Sequence, residues 1–291
     1  MSGSPLPVVV GVDSSEEALR AVAFAVDEAR SRGLPLHVVH AVGEPLAAPA
    51  VTLPGREVAE LVRSAADEVV RGAVAGVTGT VEATARVVDG DPVEVLRAVS
   101  RAARVVVLGR RGAGGVAGLL TGSTAAGLVG HAGCPVVVLP DPVAAVVRPR
   151  RSVVVGVAGQ TGDADVLEFA FTEAAARGTD VVAVHAWQDV VLETALPSMS
   201  PLAAWAGVAE EAQRTLAEAL GGWREKEPDV VVREAVVRDR PTRALVAAGL
   251  TAELLVVGAG RAHRLGSTPH GVLHRAACPV ALVPVGSRPG A

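Results

Sequence analysis

The chain is written twice. "PVVVGVD" at Pro7 to Asp13 answers "SVVVGVA" at Ser152 to Ala158, and "LHVVHAV" at Leu36 to Val42 answers "VVAVHAW" at Val181 to Trp187. The series continues with Asp91 to Gly109 against Arg240 to Gly258, and "GSTAAGLVGHAGCPVVVLP" at Gly122 to Pro140 against "GSTPHGVLHRAACPVALVP" at Gly266 to Pro284. Four matched blocks in one order define a tandem duplication, the feature to be settled before any local reading. It divides the 291 residues into a first domain, 1–140, a joint, 141–151, and a second domain, 152–291, each long enough to bury its own core.

Within each copy short valine-rich runs alternate with longer stretches of helical period. In the first copy strands are expected at about 7–12, 36–42, 81–88, 104–109 and 135–139, with helices from Ser15 to Arg32, Glu57 to Ala75, from Pro92 onward, and over 123–132. Half of the residues are hydrophobic but only 2% are aromatic, so the core is built from Val, Ala and Leu, as suits strands covered on both faces. Strands alternating with helices imply right-handed crossovers and a parallel sheet. The fold class is therefore α/β, two tandem doubly wound domains of five parallel strands each. Such sheets bind ligands beyond the carboxyl ends of their strands, where the winding reverses.

A net charge of -4 gives no signature of polyanion binding, and Arg148-Pro149-Arg150-Arg151 reads as a solvated joint rather than a nucleic-acid patch. The amino-terminal sequence carries no basic segment followed by a long apolar one, and no stretch reaches a membrane span of about 18 apolar residues, so a cytoplasmic protein is expected. Cys134 and Cys278 are too few for a disulfide framework and read as buried free thiols.

"GRRGAGGVAGLLTGST" (Gly109 to Thr124) holds six glycines directly after the apolar run ending at Leu108. It leads into a helix start, whose unpaired N–H groups suit an anion, and glycines let backbone approach a phosphate without a Cβ in the way. A plain surface loop with an ordinary Ser or Thr cap is the simpler alternative. A P-loop is excluded by the absence of Lys before Gly122-Ser123, and every basic side chain except Lys226 is Arg, so the first half offers no lysine to clamp a phosphate. A dinucleotide fingerprint belongs after the first strand, where "GVDSSEE" stands, and a flavin site wants aromatic stacking that a copy without Trp or Tyr lacks.

The spacing Gly109, two residues, Gly112, nine residues, Gly122-Ser123, together with "VVVGVDSSEEALRAV" and "CPVVVLP", resembles the universal stress protein family in its ATP-binding class. The resemblance spans nearly the whole chain as two copies and implies strand order 3-2-1-4-5. It further implies Val12 on the pocket wall, Asp13 near the ribose or a phosphate-bound metal, and the Ala41 backbone at the adenine edge. Gly109 is implied beside the ribose, and Gly112, Gly122, Ser123 and Thr124 around the phosphates. Taken alone, Asp13 has a helix cap or turn as its simpler reading; in company with the loop it is expected in the site. The last strands of the two copies are expected to pair as a pseudo-dimer, with homodimerisation left open.

The second copy departs from this pattern: Asp13 becomes Ala158, Gly112 becomes Arg261, Gly90 becomes Asp239, and the interval before Gly266-Ser267 is five residues shorter. An ATP cradle is expected in the first copy only; in the second, Asp239 places an acid near where phosphates would lie, and the pocket is expected to be empty or to hold a smaller anion at Gly266-Ser267-Thr268. His270, His274 and Cys278 fall four apart, but Pro279 ends the helix before Cys278, so no metal centre is expected. His40 and His185, at one repeat position, are expected to be structural; Trp187 and Trp205 flank a loop that could cover the second pocket, and Glu44, Glu57 and Glu60 could reach a metal.

The function expected is ATP binding, with Mg²⁺, in a stress-response or signalling module that acts by occupancy on an unidentified partner and is not an enzyme, slow hydrolysis being left open. Two alternatives stand beside it. An adenine-nucleotide α-hydrolase-like enzyme would need S-G-G-x-D-S after strand one, where "VDSSEE" has no glycine pair. A ligand-free interaction scaffold needs no motif.

Overall fold

A computed structural model describes residues 5–43, 55–75, 77, 79, 81–112, 122–141, 152–187, 201–260 and 265–286, in two compact units, Met1–Pro142 and Val143–Ala291. In unit 1 the strands are β1 (Val8–Gly11), β2 (Leu36–Val42), β3 (Ala83–Asp89), β4 (Val105–Gly109) and β5 (Val136–Leu139). They lie parallel in the order β3-β2-β1-β4-β5. Val8, Val9 and Val10 on β1 and Val105, Val106 and Val107 on β4 are at most 2% exposed, so central strands are sealed on both faces. That burial is why they read as unbroken apolar runs rather than alternating ones.

The helices of unit 1 are α1 (Glu16–Arg32), α2 (Gly55–Ala75), α3 (Pro92–Ser100) and α4 (Ser123–Leu128). Ser15 caps α1 by accepting from the Ala18 N–H, and Gly33, at φ +63°, closes it in the left-handed conformation. Asp91 caps α3, its carboxylate accepting from the N–H groups of Val93 and Glu94, with Pro92 in the first turn. Helix α4 is shorter than the expected 123–132. Val129 is already extended and Gly130 has φ +92°, so the chain leaves the helical ladder four residues early.

Unit 2 repeats the plan with β6 (Ser152–Gly156), β7 (Asp180–Trp187), β8 (Val232–Arg238), β9 (Leu254–Gly258) and β10 (Val280–Val283), parallel in the order β8-β7-β6-β9-β10. Its helices are α5 (Asp163–Arg177), α6 (Pro201–Leu220), the short α7 (Trp223–Lys226), α8 (Pro241–Ala248) and α9 (Ser267–Arg275). In both units the first helix carries a buried acid paired with an arginine one turn on: Glu28 with Arg32, and Glu173 with Arg177 at 3.3 Å. A glycine lets α4 meet α3, and α9 meet α8, at the same place: a Cβ on Gly127 would lie 2.9 Å from Val93 Cγ2, and one on Gly271 2.7 Å from Thr242 Cγ2.

Cys134 and Cys278 are buried and unbridged, as expected of them. Burial pushes the Cys134 thiol from its ordinary value of 9 up to about 12. At pH 8 the folded chain then carries about a thousandfold less thiolate at Cys134 than an ordinary cysteine does. Mass spectrometry after iodoacetamide treatment checks this: Cys134 labels on unfolding in guanidinium and not in the native protein, and native labelling at a free-thiol rate would refute the burial.

Candidate functional site

In unit 1 the winding reverses between β1 and β4, and beyond the carboxyl ends of these strands lies a cavity of about 430 Å³. Val12, Asp13, Ala41, Gly109, Gly112, Gly122, Ser123 and Thr124 all line it. Four stretches far apart in sequence therefore meet at one place.

Each glycine of the spacing has a close neighbour that a Cβ would crowd. A Cβ on Gly112 would stand 2.2 Å from Asp13 Oδ2, so no other residue lets the carboxylate come so close. A Cβ on Gly109 would stand 2.9 Å from Glu17 Cβ, where α1 crosses the end of β4. The Gly122 N–H donates to the Arg110 carbonyl at 2.7 Å, and a Cβ there would approach that oxygen to 3.1 Å. This bond ties together the two ends of the glycine loop, whose residues 113–121 lie outside those described. It also means that the Gly122 N–H faces protein rather than the cavity.

The Asp13 carboxylate accepts from the N–H and the hydroxyl of Ser15, and Ser15 in turn caps α1. The cap is thus Ser15 rather than Asp13, which makes a turn onto Ser15 from the cavity wall. His40 also lines the cavity, with Nδ1 donating to the Val12 carbonyl at 2.7 Å; His185 does the same to the Val157 carbonyl at 2.9 Å. The structural role expected of this repeated histidine is the one it has.

The charged lining residues that the motif does not name, although they stand inside it, are Arg110 and Arg111. Their guanidinium groups share Asp141 Oδ2, at 2.9 and 2.6 Å. Arg110 is only 6% exposed, whereas the Arg111 side chain is 38% exposed. The search for a lysine passed over the arginines that supply positive charge here. Asp13 is the acid among the described lining residues; Glu57 and Glu60 are exposed on α2 and absent from that lining, and Glu44 lies outside the described residues.

Unit 2 has a cavity of about 420 Å³ at its own switch point, between β6 and β9. Gly258, Gly266, Ser267 and Thr268 line it, with Ala158 where unit 1 has Asp13. Its acid is not the expected one. Asp239 is turned to the Arg240 N–H and to Arg243 and does not line the cavity, whereas Asp163, from the lengthened turn, does. Val285 occupies the repeat position of Asp141 and lines the cavity too. Arg261, His263, Arg264, the loop 188–200 and the Trp205 side chain lie outside the described residues; the Trp187 ring lies under Arg238 at 5.8 Å. His270 and His274 meet edge to face at 4.3 Å, and Cys278 lies past the end of α9 at Arg275, off their helical face. No helix among the described residues is long and apolar enough to cross a membrane.

Fold and site together define a class: tandem doubly wound α/β domains, each with a small-molecule cavity at its switch point. The sequence model of the universal stress protein family matches residues 6–140 and again 149–284. A universal stress protein of Mycobacterium tuberculosis is 38% identical over 291 residues, covering 94% of this chain and 95% of the relative. A second from that organism is 36% identical over 300 residues, with 94% of each covered. The crystal structure of a universal stress protein from Archaeoglobus fulgidus shares the fold, with a TM-score of 0.68 at 18% identity over 96% of both chains. The chain belongs to the universal stress protein family.

Proposed function

We propose that unit 1 binds ATP and that the protein serves as a nucleotide-dependent stress or signalling module in the cytoplasm. The observation that carries this reading is the convergence of all eight motif positions, with Arg110 and Arg111, on one cavity. The residues present suit the ligand: an apolar wall of Val39, Pro92 and Leu96 for a base, then hydroxyls at Ser123 and Thr124 and arginine charge for phosphates. One lining carboxylate, Asp13, suits a magnesium ion held mainly by the phosphates rather than by a protein cage. A binding role is favoured over catalysis because the Ser15 hydroxyl, bonded to Asp13, is used in capping α1, and His40 is bonded to Val12 rather than to a serine, so the described lining holds no Ser-His-Asp relay. Occupancy then acts by changing the surface offered to a partner.

Native mass spectrometry of the intact chain, beside nucleotide analysis of boiled protein, tests this. About one ATP per chain is expected. Two equivalent ATP sites would refute the asymmetry, and no nucleotide at any added concentration would leave the scaffold alternative. Adenylated products from labelled ATP would favour the enzyme.

We also propose, from the family resemblance, that the final strands of the two copies pair. In each unit's own sheet that strand is an edge, and a short apolar edge invites a partner. In a Val137→Lys chain that still binds ATP, hydrogen exchange at residues 280–283 is expected to speed up; unchanged exchange there would exclude the pairing.

A further inference from the structure

The two cavities are alike in size and in one wall, and unlike in the other. Ala41, Pro92 and Leu96 of unit 1 are matched by Ala186, Pro241 and Leu245 of unit 2. The opposite side has been rebuilt. Asp163 turns its carboxylate back onto the turn after β6 and accepts from three successive backbone N–H groups, those of Ala158 at 3.2 Å, Gly159 at 2.7 Å and Gln160 at 3.0 Å. Successive N–H groups pointing at one place form an anion site, and here the chain fills it with its own anion.

The chain end completes the change. Gly286 donates its N–H to Asp165 Oδ2 at 3.1 Å, which holds the residues after β10 against the start of α5. Val285 is thereby laid so close that a Cβ on Gly162 would stand 1.9 Å from its Cγ1. Where unit 1 has the Asp141 carboxylate gathering two arginines at the cavity, unit 2 has an apolar side chain, and the positions of those arginines hold Ala259 and Gly260. Among the described lining residues of the second cavity there is no cation, and the one charged group is Asp163.

We infer that the cavity of unit 2 binds an uncharged, flat molecule of nucleoside size and turns away its phosphorylated forms. The apolar wall offers the face of a heteroaromatic ring the same surface as in unit 1, and to that extent the inference rests on the adenine reading of unit 1. Gln160, Ser267 and Thr268 supply polar partners for neutral amide, amine or hydroxyl groups. A phosphate at the turn would meet the Asp163 carboxylate, a like charge, and find the three N–H groups that could have held it already engaged.

Hydrogen exchange on the full-length chain, with adenosine, AMP and ATP as probes, tests the inference. Adenosine at ten times its Kd is expected to slow exchange about tenfold in peptides covering 156–163 and 241–248. AMP and ATP are expected to leave those peptides unchanged. Ala186→Leu, which fills the cavity, removes the adenosine effect, and unchanged exchange across 156–163 and 241–248 in the ligand-free variant shows that unit 2 is still folded. Asp163→Asn keeps an acceptor for the turn but removes the charge, and is expected to raise AMP affinity at unit 2 about tenfold. No protection of unit 2 by millimolar adenosine, or equal protection of the wild-type unit 2 by AMP or ATP, would overturn the inference. The units report on separate peptides, so a unit 1 that ignores ATP would sink the earlier reading while unit 2 still decides this one.

Discussion

Replacing Gly122 with leucine is expected to weaken ATP binding on the order of a hundredfold, about 2.8 kcal/mol, while unit 1 remains folded. Gly122 lines the cavity, and any Cβ there meets the Arg110 carbonyl oxygen at 3.1 Å and Arg111 Cα at 3.4 Å. The larger side chain can only turn into the space assigned to phosphate or force the Gly122–Arg110 bond apart. Asp13→Ala should weaken binding less, roughly tenfold, since hydroxyls and arginines remain. Gly112→Ala acts through Asp13, because its Cβ would stand 2.2 Å from Oδ2. The Gly112→Ala and Asp13→Ala losses are therefore expected to be less than additive in the double variant. Titration calorimetry of the four variants beside the wild type, with circular dichroism as the folding control, decides this. Unchanged affinity in both Gly122→Leu and Asp13→Ala would remove the site assignment.

The second large effect is on stability. Asp141→Ala strips a nearly buried guanidinium of its carboxylate partner and leaves Arg110 and Arg111 facing one another across the vacated place. Breaking a buried pair from one side costs about 3 kcal/mol, more than the net worth of the pair itself. For a unit of this size that is roughly a 10 °C fall in Tm. Arg111→Ala is the contrasting variant. Its side chain is 38% exposed, so its half of the bridge is screened and worth under about 1 kcal/mol. Scanning calorimetry of the two variants separates a structural triad, for which only Asp141→Ala is costly, from a surface charge pair, for which the two losses are equally small.

The sequence by itself determined the tandem plan, the α/β class, the family and the glycines that come to line the first cavity. Those are properties a one-dimensional pattern carries. Alternation of valine runs with 3.6-residue periods reports which backbone ladder forms, and the matched blocks place β6, β7, β9 and β10 on β1, β2, β4 and β5. Even the repeated His40 and His185 were legible, because one repeat position with one residue type implies one local bond. What only the tertiary structure decided is which side chains share a cavity once the chain has returned from far away. Asp141 reaches Arg110 across 31 residues and Gly286 reaches Asp165 across 121. No spacing rule connects such pairs. The sequence pointed to Asp239 as the acid of the second cavity because it replaces Gly90, but the Arg240 N–H and Arg243 draw its carboxylate aside, and Asp163 takes the turn's N–H groups instead. A carboxylate goes where donors are closest, and the donors are arranged by the folded backbone rather than by position in the chain.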